Sequence, residues 1–287
     1  MKGFQLRLLS LLLLLSACAY AVEVTARIKG TVTDPTGAVL PNITVTATNQ
    51  DTGVITTTTT IANGDYIFQK LPIGTYSVSA AAPGFIRFTA TGIVLNIDQE
   101  YVLPVRLRVG NSVETVEVQA NAVQVNATDM QLSNVVTGRQ ITELPLIGRA
   151  FTNLELVLPG VQASNDRFTT AFSVNGSQAQ QSAYVINGAD TNDLPLNTIS
   201  FQPNVDALQE FNLITGPQNA EYARNGGATV STSIKQGTNR FHGDVFEFYR
   251  DKALNANDPV NVLNGRPKAP FHVNQAGAVL GGPLRRD

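Results

Sequence analysis

The chain has 287 residues, room for about two domains, with a formal net charge of −2 and only 15% charged residues. Such a balance leaves no basic face of the kind a nucleic acid requires, so no nucleic-acid partner is expected. Its 23 glycines and 14 prolines, alongside many Thr, Val and Asn, suit short strands and turns better than long amphipathic helices.

Residues 1–21 read as an export signal. Lys2 and Arg7 give a positive n-region, Leu8–Leu15 is an apolar run broken by Ser10, and Ala19-Tyr20-Ala21 is a small-x-small cleavage site ending at Ala21. The run is too short to span a bilayer. A second reading overlaps the first: Leu15-Ser16-Ala17-Cys18 has the form of a lipobox, in which Cys18 becomes the lipidated first residue. Cys18 is the single cysteine. Simple cleavage therefore leaves a mature chain without disulfides, in a compartment that would permit them.

Residues 25–109 read as one all-β domain. Strand-like runs fall at Ala26–Thr33, Ile43–Asn49, Gly53–Ile61, Tyr66–Leu71, Thr75–Ala82, Phe85–Leu95 and Glu100–Val109. Turn chemistry separates them, and Asn63-Gly64 predicts a two-residue hairpin turn with positive φ at both positions. Tyr76, Val78 and Ala80 alternate with Ser77 and Ser79, one face for a core and one for water. Seven short strands at regular spacing predict a β-sandwich. Within it the Thr56–Thr60 run suits an edge or solvent-side strand.

Residues 110–124 form a connector. Val113, Glu114, Thr115, Val116, Glu117 and Val118 alternate apolar with polar, the pattern of a strand that a partner can pair with. A plain linker, or the first strand of the next domain, fits the same residues.

Residues 125–240 predict a mixed α/β domain. Gln140–Leu144 reads as a short helix before Pro145. Phe151, Leu154 and Leu158 share one helix face. Phe172–Gly176 and Tyr184–Gly188 are strands ending in Asn-Gly. Pro203–Leu208 is a short helix and Leu208–Ile214 a strand, followed by Gly216-Pro217, the tight turn at Gly226-Gly227 and a second alternating strand.

Residues 241–287 change character. Val245-Phe246-Glu247-Phe248-Tyr249 places two phenylalanines on one face, and Asn274–Leu280 alternates less cleanly across a polar loop, Asn255–Pro270. Both segments fit the roughly 9–11 residues of a membrane barrel strand. There is room for one or two such strands, far short of a barrel of about eight. The expectation is an incomplete barrel, from a fragment or an interrupted gene.

Catalytic chemistry is not expected. A zinc carboxypeptidase needs clustered His and Glu ligands, whereas only His242 and His272 occur and Glu247 stands at the wrong spacing. No Gly-x-Ser-x-Gly elbow is present, and Gly226-Gly227 lacks the Lys-Ser/Thr of a phosphate loop. Asp190, Thr191, Asn192 and Asp193 offer oxygens for Ca²⁺ but lack the spaced acids and final Glu of an EF-hand loop. Asx turns explain them more simply. No metal and no cofactor are expected.

Two resemblances organise these readings. Ile28-Lys29-Gly30-Thr31-Val32-Thr33-Asp34, Gly37, Leu40-Pro41, Gly64-Asp65-Tyr66, Leu71-Pro72, Gly74-Thr75-Tyr76 and Gly84-Phe85 resemble the carboxypeptidase regulatory-like domain, which is not itself catalytic. Leu208–Asn239 resembles the plug domain of TonB-dependent outer-membrane receptors. With Leu144–Val161, Tyr184–Pro195 and Phe241–Leu284, it is similar to their Oar-like branch. Two positions depart from the plug pattern: Asn187 stands where plugs carry Asp before Gly, and Gln218-Asn219 follows Gly-Pro in place of a small pair.

The resemblance implies a mainly β fold: a seven-stranded sandwich, a mixed α/β plug over 125–240, then the first one or two strands of an outer-membrane barrel. It implies an outer-membrane location with the sandwich in the periplasm, and energised uptake of a large nutrient such as an oligosaccharide, peptide or metal chelate. It implies three partners: a TonB-type energy-transducing protein at Val113–Val118, outer-membrane lipid around the barrel, and an unidentified nutrient touching Asp190–Asp193. Arg149, Arg224 and Arg240 would pair with acidic groups on a barrel wall. The alternative is a secreted or surface carbohydrate-binding or adhesion protein built on the sandwich, which exposed aromatics in a sandwich groove would mark. A carboxypeptidase-linked fragment is a third reading.

Overall fold

The structure is a computed structural model that describes residues 25–110, 115–119, 132–144, 146, 149–164, 171–216 and 225–283, with backbone only at 115–119 and Arg139. The signal segment, Cys18, Ala21, Val113, Glu114 and Arg224 lie outside the described residues. The chain divides into two compact units, residues 1–235 and 236–287.

The first unit opens with a β-sandwich of short strands: β1 (Thr25–Thr33), β2 (Thr44–Asn49), β3 (Ile55–Thr59), β4 (Asp65–Pro72), β5 (Gly74–Ala81), β6 (Phe85–Leu95), β7 (Glu100–Val102), β8 (Val105–Arg106), β9 (Arg108–Val109) and β10 (Thr115–Gln119). One sheet runs β4-β1-β7, with β8 also on β1. The other runs β10-β6-β5-β2-β3, with β9 also on β6. Alternate residues of each strand close the space between the sheets: Ile28, Val32, Val45, Ala47, Leu71, Tyr76, Val78, Ile93 and Leu95 are buried. The alternation expected at Tyr76, Val78 and Ala80 holds. The threonine run forms β3, the far edge of the second sheet. Thr60 turns inward, its Oγ1 donating to the Leu40 carbonyl (2.7 Å) and accepting from the Ile43 amide (2.9 Å).

Two sandwich details differ from expectation. The run Glu100–Val109 forms three pieces, because Pro104 has no N–H to give a ladder. β7 and β8 lie parallel to β1 while β9 crosses to β6, so this segment ties the two sheets together. At Asn63-Gly64 only Gly64 has positive φ (76°). The Gly64 amide donates to the Ile61 carbonyl and the Ile61 amide to Asp65, a longer loop whose glycine takes the left-handed position of a bulge.

The rest of the first unit is a mixed α/β domain. It comprises β11 (Leu132–Thr137), α1 (Gly138–Glu143), a 3₁₀ turn at Phe151–Val157, β12 (Val161–Ala163), β13 (Phe172–Val174), β14 (Ala183–Ile186), β15 (Ala189–Asp190), a 3₁₀ turn at Val205–Ala207, β16 (Leu208–Thr215) and β17 (Thr229–Ile234). Five strands form a sheet in the order β11-β16-β17-β14-β15, and β12 pairs with β13 separately. The expected helix face at Phe151 and Leu154 is real but wound as a 3₁₀ helix. Both side chains are buried against Val136, Ile141, Leu208, Phe211 and Leu213, with Phe151 edge-on to Phe211.

The two Asn-Gly pairs that end strands here take the conformation that Asn and Gly tolerate. Asn175-Gly176 and Asn187-Gly188 have positive φ at both residues, and the second closes the tight hairpin between β14 and β15. Asn187 also accepts a hydrogen bond from the Ile234 amide (2.9 Å) through its side-chain oxygen. An aspartate would offer the same acceptor, which rationalises the departure at this position.

The second unit is a hairpin. β18 (His242–Asp251) and β19 (His272–Gly281) pair antiparallel without a slip, from His242 opposite Gly281 to Asp251 opposite His272. Ten residues per strand meets the length of a membrane barrel strand. Phe246 and Phe248 share a face as expected, with ring centroids 5.8 Å apart. The intervening segment carries the short helix α2 (Pro259–Leu263), capped by the Asp258 carboxylate, which accepts from the Val260 amide (2.7 Å). Among the described residues, no helix is long and apolar enough to cross a membrane, which says nothing of crossing by strands.

Candidate functional site

The loop after β14 carries the expected nutrient contact at Asp190, Thr191, Asn192 and Asp193. Its polar atoms are largely engaged in building the loop. Asn192 Oδ1 accepts from the Tyr184 amide (2.7 Å), and its Nδ2 donates to the Ser182 carbonyl and to Asn197 Oδ1 (both 3.0 Å). Thr191 Oγ1 donates to the Tyr184 carbonyl, and Asp190 Oδ1 accepts from the Asn192 amide, an Asx turn as the residue types predict. This bracing holds Leu194-Pro195-Leu196 outward, with Leu194 85% exposed. The loop therefore presents an apolar tip on a polar frame. The spacing of the acids does not reveal that division, because Asn197, which completes the frame at positive φ (50°), stands beyond the motif.

Arg149 corrects an expectation. It does not reach outward for a barrel wall. It is buried, and its Nη2 donates to Asp206 Oδ1 at 2.6 Å inside the mixed α/β domain. The Arg149 backbone has φ of 50°, which turns the chain after Leu146, and the Ala150 backbone bridges Asn204. Asp206 sits in the first turn of its 3₁₀ segment, where Asn204 Oδ1 accepts from the Asp206 amide (3.1 Å). The ion pair thus clamps the loop before the Phe151 turn to the entry of β16. Only the cap signature, Asn204 two residues before Asp206, marks the acidic partner in the sequence.

Two buried carboxyls were not legible at all. Glu155 is fully buried, and burial pushes its pKa up to about 8. The buried Tyr184 hydroxyl lies near enough to oppose that rise, though neither Glu155 oxygen reaches full hydrogen-bond geometry. Burial, and secondarily the Glu155 charge, raises the Tyr184 phenol in turn. Glu210 on β16 faces the sandwich: its Oε2 accepts from the Ile97 amide at 2.7 Å, in the loop between β6 and β7. Burial again raises it, to about 7, with the Ile97 amide opposing and the Asp98 charge assisting. The Ile97 side chain is buried with Ile73 beside this contact. Glu210 therefore joins the sandwich to the mixed α/β domain.

The described part of the connector, Thr115–Gln119, is a strand. β10 pairs parallel with β6, Thr115 opposite Arg87 through Gln119 opposite Thr91. Of the six residues expected to meet a transducing protein, Thr115–Val118 are described, and all four lie in this sheet.

Both histidines are strand-end residues. The Nδ1 of His242 lies 3.0 Å from the Arg240 carbonyl, and that of His272 lies 3.4 Å from Asp251 Oδ2. Among the described residues, no three His, Cys, Asp or Glu side chains converge on a metal position.

Comparison with known proteins fits this layout. Residues 27–108 match the carboxypeptidase regulatory-like domain, and residues 233–287 match an outer membrane beta barrel domain. Over 260 residues, 86% of the chain, the sequence is 27% identical to the TonB-dependent transporter Oar of Myxococcus xanthus. Together these matches make the chain similar to part of a TonB-dependent outer-membrane receptor. It spans 24% of the length of that relative. Similar solved structures include the siderophore receptor PirA from Acinetobacter baumannii (TM-score 0.42, 19% identity, 54% of this chain and 22% of that one). The outer membrane transporter YddB from Escherichia coli is another (TM-score 0.41, 16% identity, 52% and 23%). In the mixed α/β domain the buried polar groups Arg149, Asp206 and Glu210 act as clamps and joints of a scaffold.

Proposed function

We propose that this chain forms the accessory, plug and first barrel segments of an energised outer-membrane transporter that takes up a large nutrient: an oligosaccharide, a peptide or a metal chelate. The observation that carries the reading is the order along one chain: sandwich, ion-pair-clamped plug, and a slip-free hairpin with ten residues in each strand inside the barrel-domain match. Only a closed barrel satisfies strand backbones in lipid, and a wide barrel needs a plug to stay shut. The sandwich lies on the periplasmic side, where Thr115–Val118 meets a TonB-type protein. The tip at Leu194–Leu196 and its frame at Asp190–Asp193 face the nutrient.

The carbohydrate-binding alternative finds no support in the sandwich. Its aromatics Tyr66, Phe68, Tyr76, Phe88 and Tyr101 are buried, and Phe85 packs partly against the same core, leaving no exposed aromatic platform for a sugar.

The test is growth of cells lacking the gene on a panel of oligosaccharides, peptides and chelated iron as limiting nutrients. Loss of growth on one class, reproduced by de-energising the inner membrane, supports the reading. Unchanged growth and uptake across the panel would refute it.

A further inference from the structure

We propose that β3 is a dimerisation edge: the sandwiches of two copies of this chain pair through Ile55–Thr59, antiparallel about a two-fold axis at Thr57, into one continuous sheet. The contact lies at the end of the sheet farthest from the connector and does not rest on the transporter reading above.

Among the described residues, β3 is outermost on its sheet and pairs with β2. The ladder fixes which of its backbone groups face out. The Asn49 amide donates to the Val54 carbonyl and the Thr60 amide to the Ile43 carbonyl, and hydrogen-bonded pairs alternate along antiparallel strands. Val54, Thr56, Thr58 and Thr60 therefore bond to β2, while the N–H and C=O groups of Ile55, Thr57 and Thr59 point outward. The same three residues are exposed, Ile55 at 64%. Sheet edges are ordinarily blunted by a charge, a proline or a bulge. The other edge strands of the sandwich carry such devices: Asp65, Lys70 and Pro72 on β4, Glu100 on β7 and Glu117 on β10. β3 has none. Val54–Asn63 contains no charged residue and no proline, and β2 and β3 pair without a bulge.

A second copy is the occupant this edge fits. The outward groups at Ile55, Thr57 and Thr59 are symmetric about Thr57. A two-fold axis there sets Thr57 opposite Thr57 and Ile55 opposite Thr59, and each of these is a hydrogen-bonded pair, the self-complementary contact of a symmetric dimer. Threonine pairs across strands are favourable, and no like charges meet. A charged partner strand would find no complementary charge on this edge. The register also brings the copy's Ile55 beside Thr59, at the rim of a hollow of about 490 Å³ lined by Lys29, Thr58, Thr59, Ile61, Ile67 and Val102. Ile61, Ile67 and Val102 are exposed, so pairing covers apolar surface as well as backbone.

The experiment uses the full chain in detergent micelles. Its mass is followed by sedimentation against concentration, and native-state hydrogen exchange at β1, β2 and β5 reports whether the sandwich is folded. The parent should dimerise and Thr57→Val should match it. Thr57→Lys sets two like charges on the axis and should weaken dimerisation by about tenfold or more. In a Cys18→Ser background, Thr57→Cys should link to itself on mild oxidation, because opposed residues on paired strands lie within disulfide reach. Gln69→Cys, exposed on β4, should not. A parent that stays monomeric at every concentration overturns the proposal. So does a dimer that Thr57→Lys leaves unchanged with the sandwich folded, which assigns association to another surface such as the β18–β19 hairpin. If the lysine variant unfolds, the two cysteine variants decide: equal self-linking at Gln69→Cys and Thr57→Cys, or none at Thr57→Cys, overturns the edge contact. Cross-linking of Thr57→Cys in cells to a different protein, in place of a second copy, overturns the homodimer.

Discussion

Replacing Arg149 with alanine strands a buried carboxylate. Both partners of the Arg149–Asp206 pair are nearly inaccessible, with side chains 6% and 9% exposed, and the bond is short at 2.6 Å. Removing one member of such a pair costs about 3–5 kcal/mol, because the remaining charge has lost both water and its partner. The stability of a whole domain is about 5–15 kcal/mol, so the plug would be close to unfolding while the sandwich has no reason to change. A single global transition does not describe a two-domain chain. The assay is therefore native-state hydrogen exchange read by mass spectrometry, which resolves local stability. Amides of β11, β16 and β17 should exchange faster by roughly two to three and a half orders of magnitude, with β1, β5 and β6 unaltered. Replacing both partners by apolar residues, Arg149→Met with Asp206→Leu, should recover much of the loss. A change in Arg149→Ala of less than about 1 kcal/mol, the value of a surface pair, would refute the argument from burial.

Further expectations follow from the same inventory. Glu155 has a folded-state pKa of about 8 against an ordinary 4.5, so the folded plug holds a proton that the unfolded chain gives up. Stability should therefore fall as pH rises from about 4.5 to about 8, by a few kcal/mol at most. Glu155→Gln should flatten that slope in plug unfolding followed from pH 5 to 8. Glu210 carries the same sign with its midpoint near 7, and Glu210→Gln should selectively alter exchange at the Ile97 amide. Tyr66→Phe removes the buried bond from its hydroxyl to the Leu103 carbonyl (2.8 Å), at about 1–3 kcal/mol of sandwich stability in denaturant. Gly30→Ala should cost the sandwich about 1–3 kcal/mol or more, since a Cβ there would run into the backbone carbonyl of Leu103. A variant as stable as the parent would show that β1 and the segment after β7 can separate freely.

The sequence by itself determined most of the β architecture. Alternation of side chains places Tyr76, Val78 and Ala80 inside and the serines outside, and no long-range information is needed for that. Asn187-Gly188 permits its tight turn because both residues tolerate positive φ, whereas the same pair at Asn63-Gly64 sits in a longer loop. The hairpin is legible in part, from Phe246 and Phe248 on one face and from the alternation of Asn274–Leu280, while its full strands, His242–Asp251 and His272–Gly281, come from the structure. What tertiary structure decided is pairing at a distance. The Arg149–Asp206 clamp joins residues 57 apart in the chain, and the Glu210–Ile97 joint residues 113 apart. Apart from the Asn204 cap beside Asp206, nothing local distinguishes these side chains from solvated ones. A charge declares its role only when the fold removes the water around it. The connector makes the same point for backbone. Alternation in Thr115–Gln119 shows that the segment can be a strand, but which edge it completes depends on which neighbour the fold brings alongside, and here that neighbour is β6.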